Sequence, residues 1–145
     1  MDIPPTVARP LQTASRLGEV TEDPTTRSLA IAALGAVVTE KDLTTEPPGI
    51  SWLGSNGEVN TLLCTGDRFV HARVDRESAS ATSYPGPVAT VEAADVARAS
   101  GDGATEWRVT TWHVALSDGA VITLRAADAA RAEALADFVR NHLLP

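Results

Sequence analysis

The stretch Glu106-Trp107-Arg108-Val109-Thr110-Thr111-Trp112-His113-Val114-Ala115-Leu116-Ser117-Asp118-Gly119-Ala120-Val121-Ile122-Thr123-Leu124-Arg125 decides the fold class. Two β-rich arms flank Ser117-Asp118-Gly119, and an Asp-Gly pair tolerates the positive φ angles of a tight hairpin turn. Strict alternation puts Trp107, Val109, Thr111 and His113 on one face and Trp112, Val114 and Leu116 on the other. A bulge near Thr110-Thr111 would bring both tryptophans to the same side, and the sequence leaves both arrangements open.

Working outward, Val59 to Thr65 and Arg68 to Val74 form a second hairpin pattern about Thr65-Gly66-Asp67. In its second arm Val70, Ala72 and Val74 share the apolar face, so His71 is expected to look outward beside Phe69. Glu77 to Pro87, ending Tyr84-Pro85-Gly86-Pro87, reads as a loop. Val88 to Val91 and Val96 to Ser100 read as short strands about Glu92-Ala93-Ala94-Asp95, with a reversal at Gly101-Asp102-Gly103. Downstream, an amphipathic helix from about 127 to 143 carries Ala127, Ala134, Leu135, Phe138, Val139 and His142 on one side.

Upstream, residues 1–23 hold prolines at positions 4, 5 and 10 without a sustained period and read as an extended arm. Asp23-Pro24 has the form of an N-cap followed by proline at the first helical position, which predicts an apolar helix over about 24–38. Leu29 and Leu34 sit on that helix, as core residues or as an oligomer contact. Between Thr44 and Gly57 turn formers dominate. The organisation expected is therefore an N-terminal arm and apolar helix over 1–45, followed by a mainly β domain over 46–145.

Successive antiparallel strands followed by one terminal amphipathic helix give an α+β class, a strongly bent antiparallel sheet or partly open β-barrel capped by the C-terminal helix. Residues Thr65 through Val74, and Trp107 through His142 with Asp118-Gly119 and the helical Ala134-Leu135-Ala136-Asp137-Phe138, resemble a bacterial pleckstrin-homology-like domain. The resemblance covers roughly residues 51–142 and leaves the N-terminal helical extension outside it. It implies a scaffold for binding or assembly. Phosphoinositide binding, which some members of that fold perform with several basic residues in a strand-joining loop, is disfavoured here, because Thr65-Gly66-Asp67-Arg68 sets one Arg beside one Asp.

The chain has 145 residues and a formal charge of −7, with four basic against seven acidic residues up to Ile50 and eight against twelve after it. Neither half is basic, which argues against nucleic acid and anionic membrane as partners. The longest apolar run, Leu29 to Val38, is too short to span a bilayer, so no stable membrane insertion is expected. Cys64 is the one cysteine, and the N-terminus has no secretory pattern, so the expected location is the cytoplasm.

No Walker or dinucleotide glycine motif occurs, and His71, His113 and His142 lack metal-ligand spacing, so no metal, cofactor or catalytic set is assigned. Cys64 has the setting of a structural thiol. The expected function is a non-catalytic protein-interaction or self-association module, most simply a homodimer. Its candidate surface is Trp107, Val109, Thr111 and His113, with Trp52, Leu29 and Leu34 as further anchors. Two alternatives remain: an acidic inhibitor or immunity-like protein covering a basic partner, and a small-ligand domain. The latter would have a pocket between the sheet and the Leu29–Val38 helix, with His71, His113 and Arg73 as polar groups.

Overall fold

A computed structural model describes residues 3–99 and 106–144 of the chain. The class is α+β, and the chain divides into two compact units, Met1–Gly86 and Pro87–Pro145. Each unit has its own antiparallel sheet, of four strands in the first and three in the second. The strands thus fall into two sheets where the sequence suggested one strongly bent sheet or a partly open barrel. The reversal expected at Gly101-Asp102-Gly103 lies outside the described residues.

The first unit begins with a helix, not an extended arm. Helix α1 (Pro5–Ser15) starts on a proline, whose missing N–H is no loss at a helix start, and ends at Arg16 in the left-handed region (φ 56°). Its Val7, Leu11 and Ala14 are buried. The three prolines concealed that stripe from a periodicity reading, because two of them sit at the entrance of the helix and Pro10 sits inside it. Helix α2 (Pro24–Val37) falls where Asp23-Pro24 placed it. The Asp23 carboxylate accepts from the Thr26 hydroxyl at 2.8 Å and the Thr25 amide at 3.3 Å, and these bonds hold its pKa below the usual carboxylate value.

The sheet of this unit is a meander of β1 (Gly49–Leu53), β2 (Val59–Thr65), β3 (Arg68–Asp75) and β4 (Ser78–Pro85) in spatial order. The β2–β3 hairpin closes about Gly66 at φ 71°, as its turn signal required. Strands β1 and β4 were not anticipated. One lies in a stretch dense with turn formers, and SASATSYP is made of small residues whose strand character comes from pairing with β3 over its full length.

Register places Leu63, Val70, Ala72, Val59 and Val74 on one face, where they pack with Leu11, Leu34 and Val38 of the helical layer and with Ala30 and Leu17. Helix α2 lies on β3 and β4, and α1 on β1, β2 and α2. The compact unit therefore extends to Gly86, past the boundary read near residue 45, because the N-terminal helices form the second layer of the first sheet. Beneath α1 the buried Ser51 hydroxyl donates to the Ser15 carbonyl at 2.6 Å and lies 2.7 Å from the Thr61 hydroxyl. A Cβ on Gly49 would collide with the Ala14 carbonyl oxygen, so the close approach of α1 to β1 needs glycine there. Arg68 donates to the Val37 carbonyl at 2.8 Å and to Asp42 at 2.6 Å, tying the end of α2 and the turn after it to β3.

In the second unit β5 (Val88–Ala99), β6 (Glu106–Leu116) and β7 (Val121–Arg125) form a sheet in that order. Strand β5 is one continuous strand where two short ones were expected, since its alanines pair through register shifts. Helix α3 (Ala129–Phe138) continues as one π-helical turn, Val139–Leu143, and packs on β6 and β7. Asp128 caps it through the Arg131 amide at 2.8 Å. Leu135, Phe138 and Val139 are buried as the periodicity indicated, and Ala132 and Leu143 join them. His142 stays exposed, its ring 5.0 Å from that of Phe138.

Leu34 has no solvent exposure. It is a core residue, and the alternative of an oligomer contact through it is corrected on that ground. Replacement of Leu34 by Ala is expected to cost about 2–5 kcal/mol of stability, read as a lower urea midpoint with an unchanged slope. A midpoint within error of wild type would show that α2 is not packed this way.

Candidate functional site

The candidate site lies in the second unit, and one irregularity creates it. Val109 pairs with Val96 and Thr111 with Asp95, so two steps along β6 match one step along β5 and Thr110 is the extra residue. Its hydroxyl donates to the Asp95 carbonyl at 3.4 Å and its carbonyl accepts from the Ala126 amide at 2.8 Å. Past the bulge the alternation is inverted. Trp107 and Val109 therefore share a face with Trp112, which pairs with Leu124, and with the buried Val114 and Leu116. Thr111 and His113 pair with Arg125 and Thr123 on the opposite face.

The strip Trp107, Val109, Thr111 and His113 expected from strict alternation is thus split in two. Its first half, with Trp112, lines a cleft against α3 of about 620 Å³, open on one side. The helix side of that cleft is Ala129, Ala130, Ala132 and Ala136, with Glu133 and Arg140, while Arg108 completes the strand side. Four alanines leave room that larger side chains would fill, which is why the helix does not cover the indoles. Trp107 is 62% exposed at the cleft, and Val96, its neighbour but one on this face, is 52% exposed. The Trp112 Nε1–H is buried and has no hydrogen-bond partner among the described residues, a cost of about 1–3 kcal/mol.

Electrostatics differ between the two faces of this hairpin. Arg98 stands opposite Trp107 on the cleft face, whereas Glu92 and Asp95 stand opposite His113 and Thr111 on the other. Arg140 is held by Asp137 at 2.6 Å. Arg98 and Arg108 have no ion-pair partner among the described residues.

The remaining candidates lie elsewhere. Trp52 is 1% exposed, so it offers no surface as it stands, and Leu29 is partly buried against Leu17, Val59 and Val74. His71 does not look outward. Its ring stacks on Trp52 at 5.7 Å between centroids and 7° between planes, and its Nε2 lies 2.9 Å from the Asn60 Oδ1. Burial first, and then the nearby Arg73 charge, push its pKa down to about 4. The opposite face of the same sheet is filled by Leu34, Val38, Leu63 and Val70, so His71 and Arg73 do not line a pocket beneath α2, and His113 belongs to the second unit.

Burial pushes the Cys64 thiol up to about 12, which leaves it protonated and unsuited to nucleophilic work at neutral pH. Cys64 pairs with Phe69 in register, while the His71 ring nitrogen is bonded to Asn60, so the two do not form a nucleophile and base. Among the described residues no group of three His, Cys, Asp or Glu side chains is arranged to hold a metal ion. No helix among them is long and apolar enough to cross a membrane.

Comparison of the chain with family models, curated proteins and solved structures finds no match.

The Trp52–His71–Asn60 group gives a signed pH dependence. The folded state holds His71 neutral down to about pH 4, whereas an unfolded His takes up its proton near 6.5. The unfolded chain binds more protons between those values, so stability is fully present above about 6.5 and is lost as pH falls toward 4. In His71→Gln this part of the loss should vanish, measured as the difference in urea midpoint between pH 7 and pH 4.5. An equal loss in both proteins would place the titrating group elsewhere.

Proposed function

We propose that the chain is a non-catalytic module that binds another protein or a second copy of itself, and that the cleft between β6 and α3 is its contact surface. The observation that carries this reading is Trp107, a large aromatic side chain 62% exposed at the mouth of a cleft already lined by Val109 and Trp112. Aromatic residues are enriched in interfaces, and an exposed indole continuous with a cleft offers a large area to bury at little side-chain entropy cost. Seven antiparallel strands followed by an amphipathic helix support the further reading of a pleckstrin-homology-like scaffold over residues 51–142. The alanine-walled, one-sided cleft suits the side chains of a docking segment better than a small molecule, which most ligand sites enclose on nearly all sides.

Self-association is the form of this reading that is simplest to test. Light scattering over a tenfold range of concentration should give a mass above 15.2 kDa for the wild-type chain and the monomer mass for Trp107→Asp, with unchanged circular dichroism. Trp107 stands exposed, so its replacement leaves the core intact. A wild-type monomer at all concentrations would remove self-association. A Trp107→Asp variant with the wild-type oligomeric mass would move the contact away from the cleft.

A further inference from the structure

Helix α3 packs on β6 and β7, and the end of the β5–β6 pair that carries Trp107 and Val96 stays open on the same face. Those two are half of the four large apolar side chains that stand exposed among the described residues. Arg98 lies opposite Trp107 on that face and is exposed, whereas Arg108 alternates to the other face with Asp95 and Thr111. The helix wall of the cleft is Ala129, Ala130, Ala132 and Ala136, and Glu133 is its one carboxylate. Arg140, also in that wall, is held by Asp137 at 2.6 Å, so Glu133 is the charge the wall offers. One patch therefore holds a projecting indole with a cation beside it and a recess of small side chains with an anion in it. The two halves match in shape and in charge, and Trp107 stands at the mouth of the recess without filling it.

We propose, resting on the reading of the cleft as a protein-contact surface, that its occupant is a second copy of this chain, related by a two-fold axis. Trp107 of each copy enters the recess of the other against its α3 alanines, and Arg98 of each meets Glu133 of the other. An isologous interface requires one patch to be complementary to itself, and a two-fold pair then makes every contact twice. The arriving α3 also covers Val96, so the open end of each sheet gains the helical layer that its own chain does not supply. A buried aromatic anchor supplies affinity, while an Arg–carboxylate pair beside it is directional and fixes how the two copies meet.

The test is sedimentation equilibrium on the full chain, read as a dimer dissociation constant, with circular dichroism as the check of folding. Arg98→Glu and Glu133→Arg each set like charges face to face twice and should each weaken the dimer about tenfold. The variant carrying both changes restores opposite charges across the axis and should return to the wild-type constant. Ala136→Phe fills the recess from its own helix and should weaken the dimer as well. Ala129→Phe does the same from an exposed position that leaves the core untouched. A double charge variant as weak as the single ones would overturn the inference, because the two charges would not face each other. A dimer lost in Trp107→Asp but indifferent to the charge reversals and to both alanine replacements would overturn the reciprocal seating and leave Trp107 as a contact residue. A dimer that survives Trp107→Asp would overturn both this inference and the cleft as the surface of self-contact. A wild-type chain that stays monomeric at every concentration would overturn the inference and leave the cleft to a different protein.

Discussion

One extra residue in β6, Thr110, governs the second unit. Each residue of a strand points opposite to its neighbours, so an insertion in the pairing inverts every side chain on one side of it relative to the other. With Thr110 bulged, Trp112, Val114 and Leu116 face α3 together with Trp107 and Val109. Without it, Trp107 and Val109 would share a face with Thr111 and His113, and the exposed indole would stand on a polar surface. The core of this unit and its cleft are consequences of the same shift. Paired alanines on β5 ease it, since Ala94 is itself the extra residue between the pairs Ala93–Trp112 and Asp95–Thr111.

The first unit is organised by a different constraint, the close seating of α1 on β1. Gly49 admits the Ala14 carbonyl, and Ser51 receives the Ser15 carbonyl as a hydrogen-bond acceptor. The first gives α1 room to approach β1, and the second satisfies a carbonyl at the end of α1 that no helical N–H can reach. The opposite face of the same sheet holds Trp52, His71 and Asn60, where a neutral imidazole satisfies a buried amide and stacks on an indole. The two faces explain why β2 reads as a nearly continuous buried strand, VNTLLCT, and why alternation in β3 alone gave the wrong environment for His71.

Much of the local structure was legible in the sequence because its signals are local. Asp23-Pro24 marks the start of α2, Gly66-Asp67 the first tight hairpin, and Asp118-Gly119 the second. Strands β1 and β4 were not legible, since their residues are small or turn-forming and the strand state is imposed by neighbours. Helix α1 was hidden by prolines that suit its first turn. For the cleft, the sequence supplied Trp107 and Val109, but the company they keep depends on a bulge that no residue type announces. Arg98 could have been noticed as a cation near an indole, yet only register shows that Glu92 and Asp95 face away from it.

The most direct test is the nuclear Overhauser pattern of the β6 side chains in the full chain. The expected result is that the Trp112 ring shows cross-peaks to Val109 and to alanine methyls of α3, with Trp107 on the same network and Thr111 and His113 absent from it. The contradicting result is a network joining Trp107 and Val109 to Thr111 and His113 while Trp112 alone meets α3. That pattern would mean an unbroken strand, no bulge at Thr110, and no cleft in which the two indoles meet.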